Sequence, residues 1–523
     1  MNRYLLSFSL ILLVFIVRAQ PTGLKVNEFT ELPKGPWLTA FDRMSVLGET
    51  TDNILLYQTK LNISTDRILY LINKKSHEIR NTIELEDSED KVILGIGVMK
   101  DKLVFAFKEK VSSDSYALKV EHYGAEGALE KEEELLLLSA PEGRGVAYHV
   151  VFSDNGDYLL VNSTRSISDE NRLQESLYLF DESLKPILQK DFYNNYVETE
   201  YFNNGSFSNG VFDPDGNYYY FNGRGISILE VDQNYDRWSY FVPADDIGMK
   251  YFLNYPALAI NANNHIVLSA EVLEDTTSQS LIDMQYSRFK HLETQRGLMQ
   301  LVIDGKSKDI LKKGVIMFSE EQLAKEPARR SSYANAMLGL IVCPYTYKEA
   351  VNLVCLPDGS YIRCTEQMTY EVSQQSVILD KEVLSFFKFN KDHELSWVQH
   401  FDKWQGTSLT MEGQIITDYT SYQLLLGDNK LHVLYHQDTE VEKADKKEKA
   451  FIQSYGQVED GKLMHNEIDL SSGEVVKEEV ISPFWDEEFI MKPIKFNSST
   501  LSSGYLLMNR KNRYTRLYEI NFN

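Results

Sequence analysis

The chain repeats one pattern, in which a run of apolar residues is followed by a short polar turn and a second apolar run. Clear copies occupy residues 151–161, 211–221 and 353–362, and each turn contains Asp or Asn followed by Gly. Glycine adopts the positive φ that tight hairpin turns require, and the side chain of Asp or Asn bonds to the turn backbone. The pattern therefore predicts β-hairpins that recur along the chain.

Turn signals of this kind divide the sequence into similar units. Each is followed by a strand-like run, and most are then followed by a third apolar run and a fourth, more polar one. Four antiparallel strands per repeat is the construction of a propeller blade. The eight turn signals are Asp52-Asn53, Lys100-Asp101, Asn155-Gly156, Asp215-Gly216, Asn263-Asn264, Asp358-Gly359, Asp428-Asn429 and Ser503-Gly504.

The Pro-Asp-Gly turns at 214–216 and 357–359 resemble those of WD-repeat and TolB-type propeller blades. The Trp-Asp ending of WD repeats is missing from every predicted blade, so the resemblance implies an architecture and no function. We predict an all-β chain that forms a single β-propeller. Eight four-stranded blades are favoured over seven, and Lys100-Asp101 is the turn whose loss would leave seven.

The two ends of the chain complement each other. The C-terminal part has three strand-like runs, at 490–496, 505–509 and 513–522, and so lacks a fourth. Residues 24–32 alternate between apolar and polar positions like a strand. We predict that this N-terminal strand joins the C-terminal blade and closes the ring, which removes an exposed sheet edge.

The first residues predict an export signal. Arg3 precedes an apolar stretch at 4–17, and Ala19 precedes Gln20, which is typical of a secretory signal peptide cleaved after Ala19. The apolar stretch is short for a membrane span, and no other stretch approaches its length. We therefore expect a signal peptide at 1–19 and a propeller domain at 20–523. The mature chain is expected to be a monomer without a membrane span, and to be secreted, periplasmic or at the cell surface.

Charge and cysteine content narrow the partners and the chemistry. The chain has 77 acidic and 54 basic residues, and an acidic surface repels nucleic acid and anionic lipid. An unknown protein or glycan is the expected partner. Of Cys343, Cys355 and Cys364, the last two flank a predicted turn and would lie diagonally across a hairpin, near the outer limit of disulfide reach. We predict buried free thiols.

The sequence gives only weak signals for catalytic or metal-binding sites. His432 and His436 lie four apart on a predicted strand, about 13 Å from each other, which is too far to share one metal ion. Ser396, His400 and Asp402 supply the residue types of a hydrolase triad, but the chain contains no Gly-x-Ser-x-Gly. We predict no catalytic residue, no metal ligand and no cofactor.

A binding surface is the more open question. Two insertions near 278–296 and 319–335 interrupt the repeat, the first as a helix or long hairpin and the second with a short helix from Ser319. Aromatic side chains can stack on sugar rings, although they can equally pack one blade on the next or fold a loop onto its own blade. The candidate surface consists of Phe192, Tyr193, Tyr196, Tyr201, Phe202, Tyr286, Arg288, Phe289 and Lys290.

Two functions follow from these observations. The leading hypothesis is an exported, non-catalytic binding or scaffold propeller that uses loops on one face of the ring. The alternative is a propeller-fold hydrolase or lyase that acts on extracellular glycans or peptides at the mouth of the channel. The preference for binding rests only on the lack of a catalytic motif.

Overall fold

The structure is a computed structural model of the chain, and every regular element among the residues it describes is a β-strand. None of the described segments is a helix long and apolar enough to cross a membrane. The described residues are 24–32, 43–59, 67–85, 88, 90–112, 115–139, 147–167, 172–195, 210–221, 225–230, 236–241, 251–274, 295–318, 345–348, 352–372, 376–410, 422–427, 429–438, 461–480, 489–494, 503–510 and 514–522.

The strands of the described residues form eight antiparallel sheets, numbered here as blades 1 to 8 in chain order. The first strand, β1 (Leu24–Leu32), belongs to blade 8. Blades 1 to 4 consist of β2 Arg43–Glu49, β3 Asn53–Thr59, β4 Arg67–Asn73 and β5 Ile79–Leu85; β6 Lys91–Met99, β7 Lys102–Ser112, β8 Ser115–Tyr123 and β9 Leu129–Ser139; β10 Ala147–Phe152, β11 Tyr158–Ile167, β12 Arg172–Asp181 and β13 Pro186–Asn195; and β14 Val211–Phe212, β15 Tyr218–Phe221, β16 Gly225–Glu230 and β17 Asp236–Phe241.

The second half of the chain continues the same order. Blade 6 has five strands, because two short strands, β22 and β23, both pair with β24. Blades 5 to 8 consist of β18 Tyr251–Ile260, β19 His265–Glu274, β20 Gln295–Asp304 and β21 Ile310–Met317; β22 Tyr345–Lys348, β23 Asn352–Cys355, β24 Tyr361–Val372, β25 Ser376–Phe389 and β26 Leu395–Thr410; β27 Tyr422–Gly427, β28 Lys430–Asp438, β29 Gly461–Asp469 and β30 Val475–Val480; and β31 Phe489–Ile494, β32 Ser503–Arg510, β33 Tyr514–Phe522 and β1.

The hydrophobic core lies between neighbouring blades. Apolar side chains on one face of a sheet pack against the facing sheet of the next blade. Blade 8 in turn packs on blade 1, where Leu517 joins Val46 and Ile54. The protein is therefore a β-propeller. Representative pairs from successive boundaries are Leu55 and Phe105, Val104 and Leu159, Leu160 and Tyr218, Ile228 and Leu268, Val267 and Phe387, and Phe386 and Val433.

Strand β1 closes the ring by pairing with the last strand, β33. The antiparallel register runs from Leu24 opposite Phe522 to Leu32 opposite Thr515, with an irregularity between Glu28 and Thr30. Leu32 is buried in the core shared by blades 8 and 1. The predicted pairing of residues 24–32 with the C-terminal strand is confirmed. It pairs backbone groups of β33 that would otherwise form an open sheet edge.

The turns repeat one local construction. Asp181 ends β12, and its Oδ1 accepts hydrogen bonds from the backbone N–H groups of Ser183 and Lys185, at 2.8 and 2.9 Å. Leu184 then adopts a positive φ of 59°, which turns the chain into β13. Because the Asp or Asn side chain satisfies the turn backbone, the hairpin forms from local chemistry. The same role is played by Asn73, Asp213, Asn261, Asp304, Asn390 and Asp469.

Turns of adjacent blades meet at one end of the ring, which we call the turn end. It carries the turns after the first and third strands of the blades. Asn261 Nδ2 donates to the carbonyl of Gly359 at 2.8 Å, and Asn53 Nδ2 donates to that of Ala125 at 2.8 Å. A Cβ added to Gly156 would lie 2.8 Å from the carbonyl oxygen of Val98, so only glycine fits this approach. At the turn end, the turns therefore contact each other within the ring.

The opposite end, which we call the connection end, carries the links between second and third strands and between blades. This follows because successive strands of a sheet run antiparallel. The strands that flank the insertions all point there, since β13 ends at Asn195, β19 ends at Glu274 and β20 begins at Gln295. The two links that contain the predicted insertions, residues 275–294 and 319–344, thus start and finish at the connection end.

Two of the predicted turns have opposite outcomes. Lys100 and Asp101 adopt φ values of 42° and 65° between β6 and β7, so this turn is confirmed. Ser503 and Gly504 are not a turn, because both lie in β32, where Gly504 pairs with Ile520. Small residues predict turns because their backbones are flexible. Glycine can nevertheless lie within a strand when hydrogen bonds to the neighbouring strand hold it in an extended conformation.

The prediction of free thiols is confirmed for Cys355 and Cys364, but the predicted register is wrong. Cys364 is buried, Cys355 is only partly buried, and Cys343 lies outside the described residues. Cys355 pairs with Tyr361 and not with Ile362, and a shift of one residue moves a side chain to the other face of the sheet. The two thiols therefore lie on opposite faces of blade 6 and cannot bridge. Burial raises the pKa of Cys355 to about 12, so it is not a reactive thiolate.

Candidate functional site

Of the residues expected to form a binding surface, the structure describes the backbones of Phe192 and Tyr193. They lie near the end of β13 that points to the connection end, opposite Glu175 and Gln174. The short helix expected from Ser319 falls outside the described residues. So do Tyr196, Tyr201, Phe202, Tyr286, Arg288, Phe289 and Lys290.

A cluster of ionisable side chains lies elsewhere, in the middle of blade 7. His432 on β28 is directly opposite Glu467 on β29, and His465 is two residues from Glu467 on the same strand. Cross-strand partners and residues two apart on a strand project from the same face of a sheet. The hydrogen-bond register of β28 and β29 thus brings the two imidazoles and the carboxylate together.

The three side chains are close enough to share a ligand. His432 Nδ1 lies 3.0 Å from His465 Nε2, and the two rings stack with their centroids 5.2 Å apart. One ligand atom from each of His432, His465 and Glu467 lies within 4.8 Å of the others. All three residues are buried. Within the described part of the chain, this is the group of side chains that could hold a metal ion.

Two lysines balance the charge of the buried carboxylate. Lys430 Nζ lies 2.6 Å from Glu467 Oε2, and Lys477 Nζ lies 3.6 Å from Oε1. Burial by itself raises the pKa of Glu467, but the hydrogen bond and charge of Lys430 outweigh it, so the pKa is lowered. Burial and the neighbouring His465 lower the pKa of His432 to about 4. At neutral pH the cluster therefore contains a neutral His432 and a carboxylate.

The cluster faces the blade that closes the ring. Val433, Tyr435 and Met464 alternate with the clustered residues along β28 and β29, and they pack in the core shared with blade 6. The opposite face, which carries His432 and His465, is turned toward blade 8, whose first strand β31 contacts β28 and β29. The site is thus internal to the ring and lies at the boundary of blades 7 and 8.

Of the residues considered for a hydrolase triad, His400 contacts a different serine, and the side chain of Asp402 lies outside the part of the structure that is described. His400 Nδ1 lies 2.8 Å from the Oγ of Ser385, its cross-strand partner. Ser396 is exposed near the start of β26. Ser385 is buried, and the ring of Phe387 meets His400 edge-on. A serine hydroxyl enclosed between blades is not presented to a substrate, so this pair is a packing contact.

A second buried polar group joins blades 5 and 6. Arg363 Nη1 donates to the carbonyl of Ser269 at 2.6 Å, and Nη2 lies 3.6 Å from Glu271 Oε1. Both charged side chains have no exposed surface. Nearby, Gln300 Nε2 donates to the hydroxyl of Tyr361 at 2.8 Å. These contacts tie β24 to blade 5 across the hydrophobic boundary, a structural role that depends on complete pairing.

The stability of the protein is expected to fall as the pH drops from about 6.5 to about 4. Burial, followed by the charges of His265 and Lys312, lowers the pKa of His393 to about 4. The unfolded chain protonates this imidazole near its ordinary value, so acid stabilises the unfolded state within this window. The urea midpoint should be lower at pH 5 than at pH 7. The difference should be smaller for His393→Asn, which removes the imidazole and keeps a residue that tolerates the φ of 63° found there. An equal decrease in both proteins would contradict this assignment.

His465 and Glu467 were not among the predicted site residues. His432 was compared only with His436 on the same strand, whereas its partners lie on the next strand, beyond residues 439–460. The available signal was the spacing His465-x-Glu467, which places both side chains on one face of a strand. The register of β28 with β29 could not be read from the sequence, because a long connection does not fix the pairing.

Comparisons with known proteins show structural similarity at low sequence identity. No protein family matches the chain, and no curated protein matches it either. Among solved structures, the WD40 domain of SCAP from fission yeast has 7% identity, covers 95% of this chain and 98% of that chain, and has a TM-score of 0.41. Sqt1 from Saccharomyces cerevisiae has 9% identity, coverages of 94% and 99%, and a TM-score of 0.39. The polysaccharide lyase Uly1 has 9% identity, coverages of 97% and 94%, and a TM-score of 0.40.

Proposed function

We propose that this protein is an exported, non-catalytic binding propeller that captures a protein or a glycan at the connection end of its ring. The observation that carries the proposal is the division of the ring into two unlike ends. Turns of adjacent blades hydrogen-bond to each other at the turn end, as Asn261 does with Gly359. The long links that depart from the repeat begin and finish at the connection end.

This division suits binding because of the cost of long links. A link such as residues 275–294 adds conformational entropy to the unfolded chain without extending a sheet, and long links in compact domains are often functional. A closed ring also holds the ends of its strands rigidly, so loops that start there are presented from a fixed frame. Residues 278–296 combine Tyr286, Phe289 and Leu292 with charged neighbours, which suits an apolar anchor with a polar rim.

The internal chemistry of the ring supports binding over catalysis. Cys355 is a partly buried thiol whose pKa is raised to about 12, and the hydroxyl of Ser385 is enclosed next to His400. A nucleophile must reach its substrate and must be activated, and neither residue meets both conditions. The proposal covers residues 20–523 as the exported domain, with residues 1–19 removed as a signal peptide.

Replacing residues 278–296 with a short Gly-Ser linker is expected to weaken ligand capture by roughly tenfold or more, the loss of a central apolar anchor. Purified residues 20–523 would first be screened on a glycan array and a peptide library, and the dissociation constant of the best ligand then measured for both proteins. Replacement of residues 440–449 with the same linker is the matched control, because that charged segment also starts from the connection end but belongs to blade 7.

Two results would contradict the proposal. Failure of the folded protein to capture any glycan or peptide in the screen would contradict the binding function. Unchanged affinity after replacement of residues 278–296, or an equal loss in the control at 440–449, would show that the first insertion is not the binding surface. Circular dichroism and melting temperature would establish that each variant is folded.

A further inference from the structure

The geometry points to a site for one divalent transition-metal ion, Zn²⁺ in particular, held by His432, His465 and Glu467 between the middle strands of blade 7. Two imidazole nitrogens and one carboxylate oxygen, with a fourth position for water, form a common set of protein ligands for zinc. The site is independent of the connection end, so it goes beyond the binding function proposed above.

The spacing of the donor atoms fits a single ion. Zinc bonds of about 2.0–2.1 Å in tetrahedral geometry place neighbouring ligand atoms roughly 3.3 Å apart. His432 Nδ1 and His465 Nε2 are 3.0 Å apart, and the carboxylate oxygen completes a set within 4.8 Å. Coordination requires the side chains to rotate so that both nitrogens point at one ion. The register of β28 and β29 already places the three residues on one face of the sheet.

The hydrogen bond between the two imidazoles is compatible with metal binding. Zinc coordinates the unprotonated nitrogen of a neutral imidazole. The hydrogen bond between the two imidazoles holds one proton between their facing nitrogens. Coordination would move that proton to the other nitrogen of its ring, so no proton need be released.

Lys430 competes with a metal ion for Glu467. Its ammonium group pairs with the same carboxylate that would bind the ion, so it opposes the binding of a divalent cation electrostatically. The Lys430 side chain is 36% exposed, and its long stem allows the ammonium group to turn into solvent when an ion enters. Removal of this charge should therefore strengthen metal binding, whereas loss of a ligand should abolish it.

The location implies a structural consequence of metal binding. The ligands join two adjacent strands on the face of blade 7 that is turned toward blade 8. An ion that binds the folded state and not the unfolded state raises stability by mass action. Zn²⁺ is therefore expected to stabilise the protein near the blade that closes the ring, and a chelator is expected to reverse the effect.

The test uses the purified chain of residues 20–523, stripped of metal with a chelator and titrated with Zn²⁺ alone. We expect calorimetry to show one ion bound per chain, and the melting temperature to rise by several degrees in excess Zn²⁺. Substitution with Co²⁺ should give the visible absorption of a four-coordinate site. Glu467→Gln and His465→Gln should each weaken Zn²⁺ binding by roughly a hundredfold or more, and Lys430→Met should strengthen it several-fold.

His122→Ala is the matched control, because His122 also lies near a glutamate, Glu133, but belongs to no group of three potential metal ligands among the described residues. It should bind Zn²⁺ like the parent protein. Absence of Zn²⁺ binding at micromolar concentrations would overturn the inference, as would binding that persists in Glu467→Gln or is lost in His122→Ala. Should His465→Gln fail to fold, Glu467→Gln still decides, since glutamine keeps the shape of the side chain. None of these readouts depends on the ligand of the connection end.

Discussion

Deletion of residues 20–33 is expected to lower the melting temperature by roughly ten degrees or more, or to prevent folding altogether. The deletion removes β1, leaves the whole length of β33 as an open edge and takes Leu32 out of the core between blades 8 and 1. Loss of one buried leucine costs about 2–5 kcal/mol, and the ladder of β1 is lost in addition. Thermal unfolding followed by circular dichroism measures the effect.

The matched control removes only residues 20–23, which precede β1. This variant should melt like the parent protein. A synthetic peptide of residues 22–34 added to the shortened chain should restore part of the lost stability, because it can re-form the antiparallel ladder with β33. If the chain without residues 20–33 melts at the same temperature as the parent, β1 does not close the ring.

Substitution of Arg363 by methionine is expected to cost about 3–5 kcal/mol of unfolding free energy. The substitution leaves Glu271 without the cation that lies 3.6 Å from it, in a place where neither side chain has exposed surface. It also removes the hydrogen bond to the carbonyl of Ser269. Urea unfolding at pH 7 gives the difference directly.

The double variant Arg363→Met with Glu271→Leu distinguishes the contribution of the ion pair from the cost of leaving one charge buried alone. Two apolar side chains of similar volume should recover most of the loss, because a buried ion pair contributes little beyond mutual neutralisation. Lys100→Met is the surface control, since Lys100 pairs with Glu182 in solvent and should show no measurable change. A loss for Arg363→Met no larger than that for Lys100→Met would contradict the assignment of a buried, paired charge.

The fold was predictable because its information is local. Asp or Asn at the end of a strand and a residue with positive φ soon afterwards specify each hairpin, as Asp181 and Leu184 show. Period-two alternation in residues 24–32 was enough to predict a strand, and the missing fourth strand at the C-terminus indicated its partner. The failures at Ser503-Gly504 and at Cys355 are errors of one turn and of one residue in register.

The candidate metal site was not predictable because its information is not local. His432 and His465 are brought together only by the pairing of β28 with β29, and the long connection between these strands, residues 439–460, does not fix the register. The same limit applies to Arg363, whose partners Ser269 and Glu271 belong to a different blade. Sequence patterns identify which residues form strands, whereas ring closure determines which faces meet.

The most direct test of the proposed function is a time course of the captured ligand in the presence of the protein. Purified residues 20–523 would be incubated with the glycan or peptide that it binds most tightly, at several protein concentrations, and the ligand would be analysed by mass spectrometry. A binding propeller should return the ligand intact at every time point. Shorter glycans or peptides that accumulate in proportion to the concentration of the protein would contradict this account and identify the chain as an enzyme.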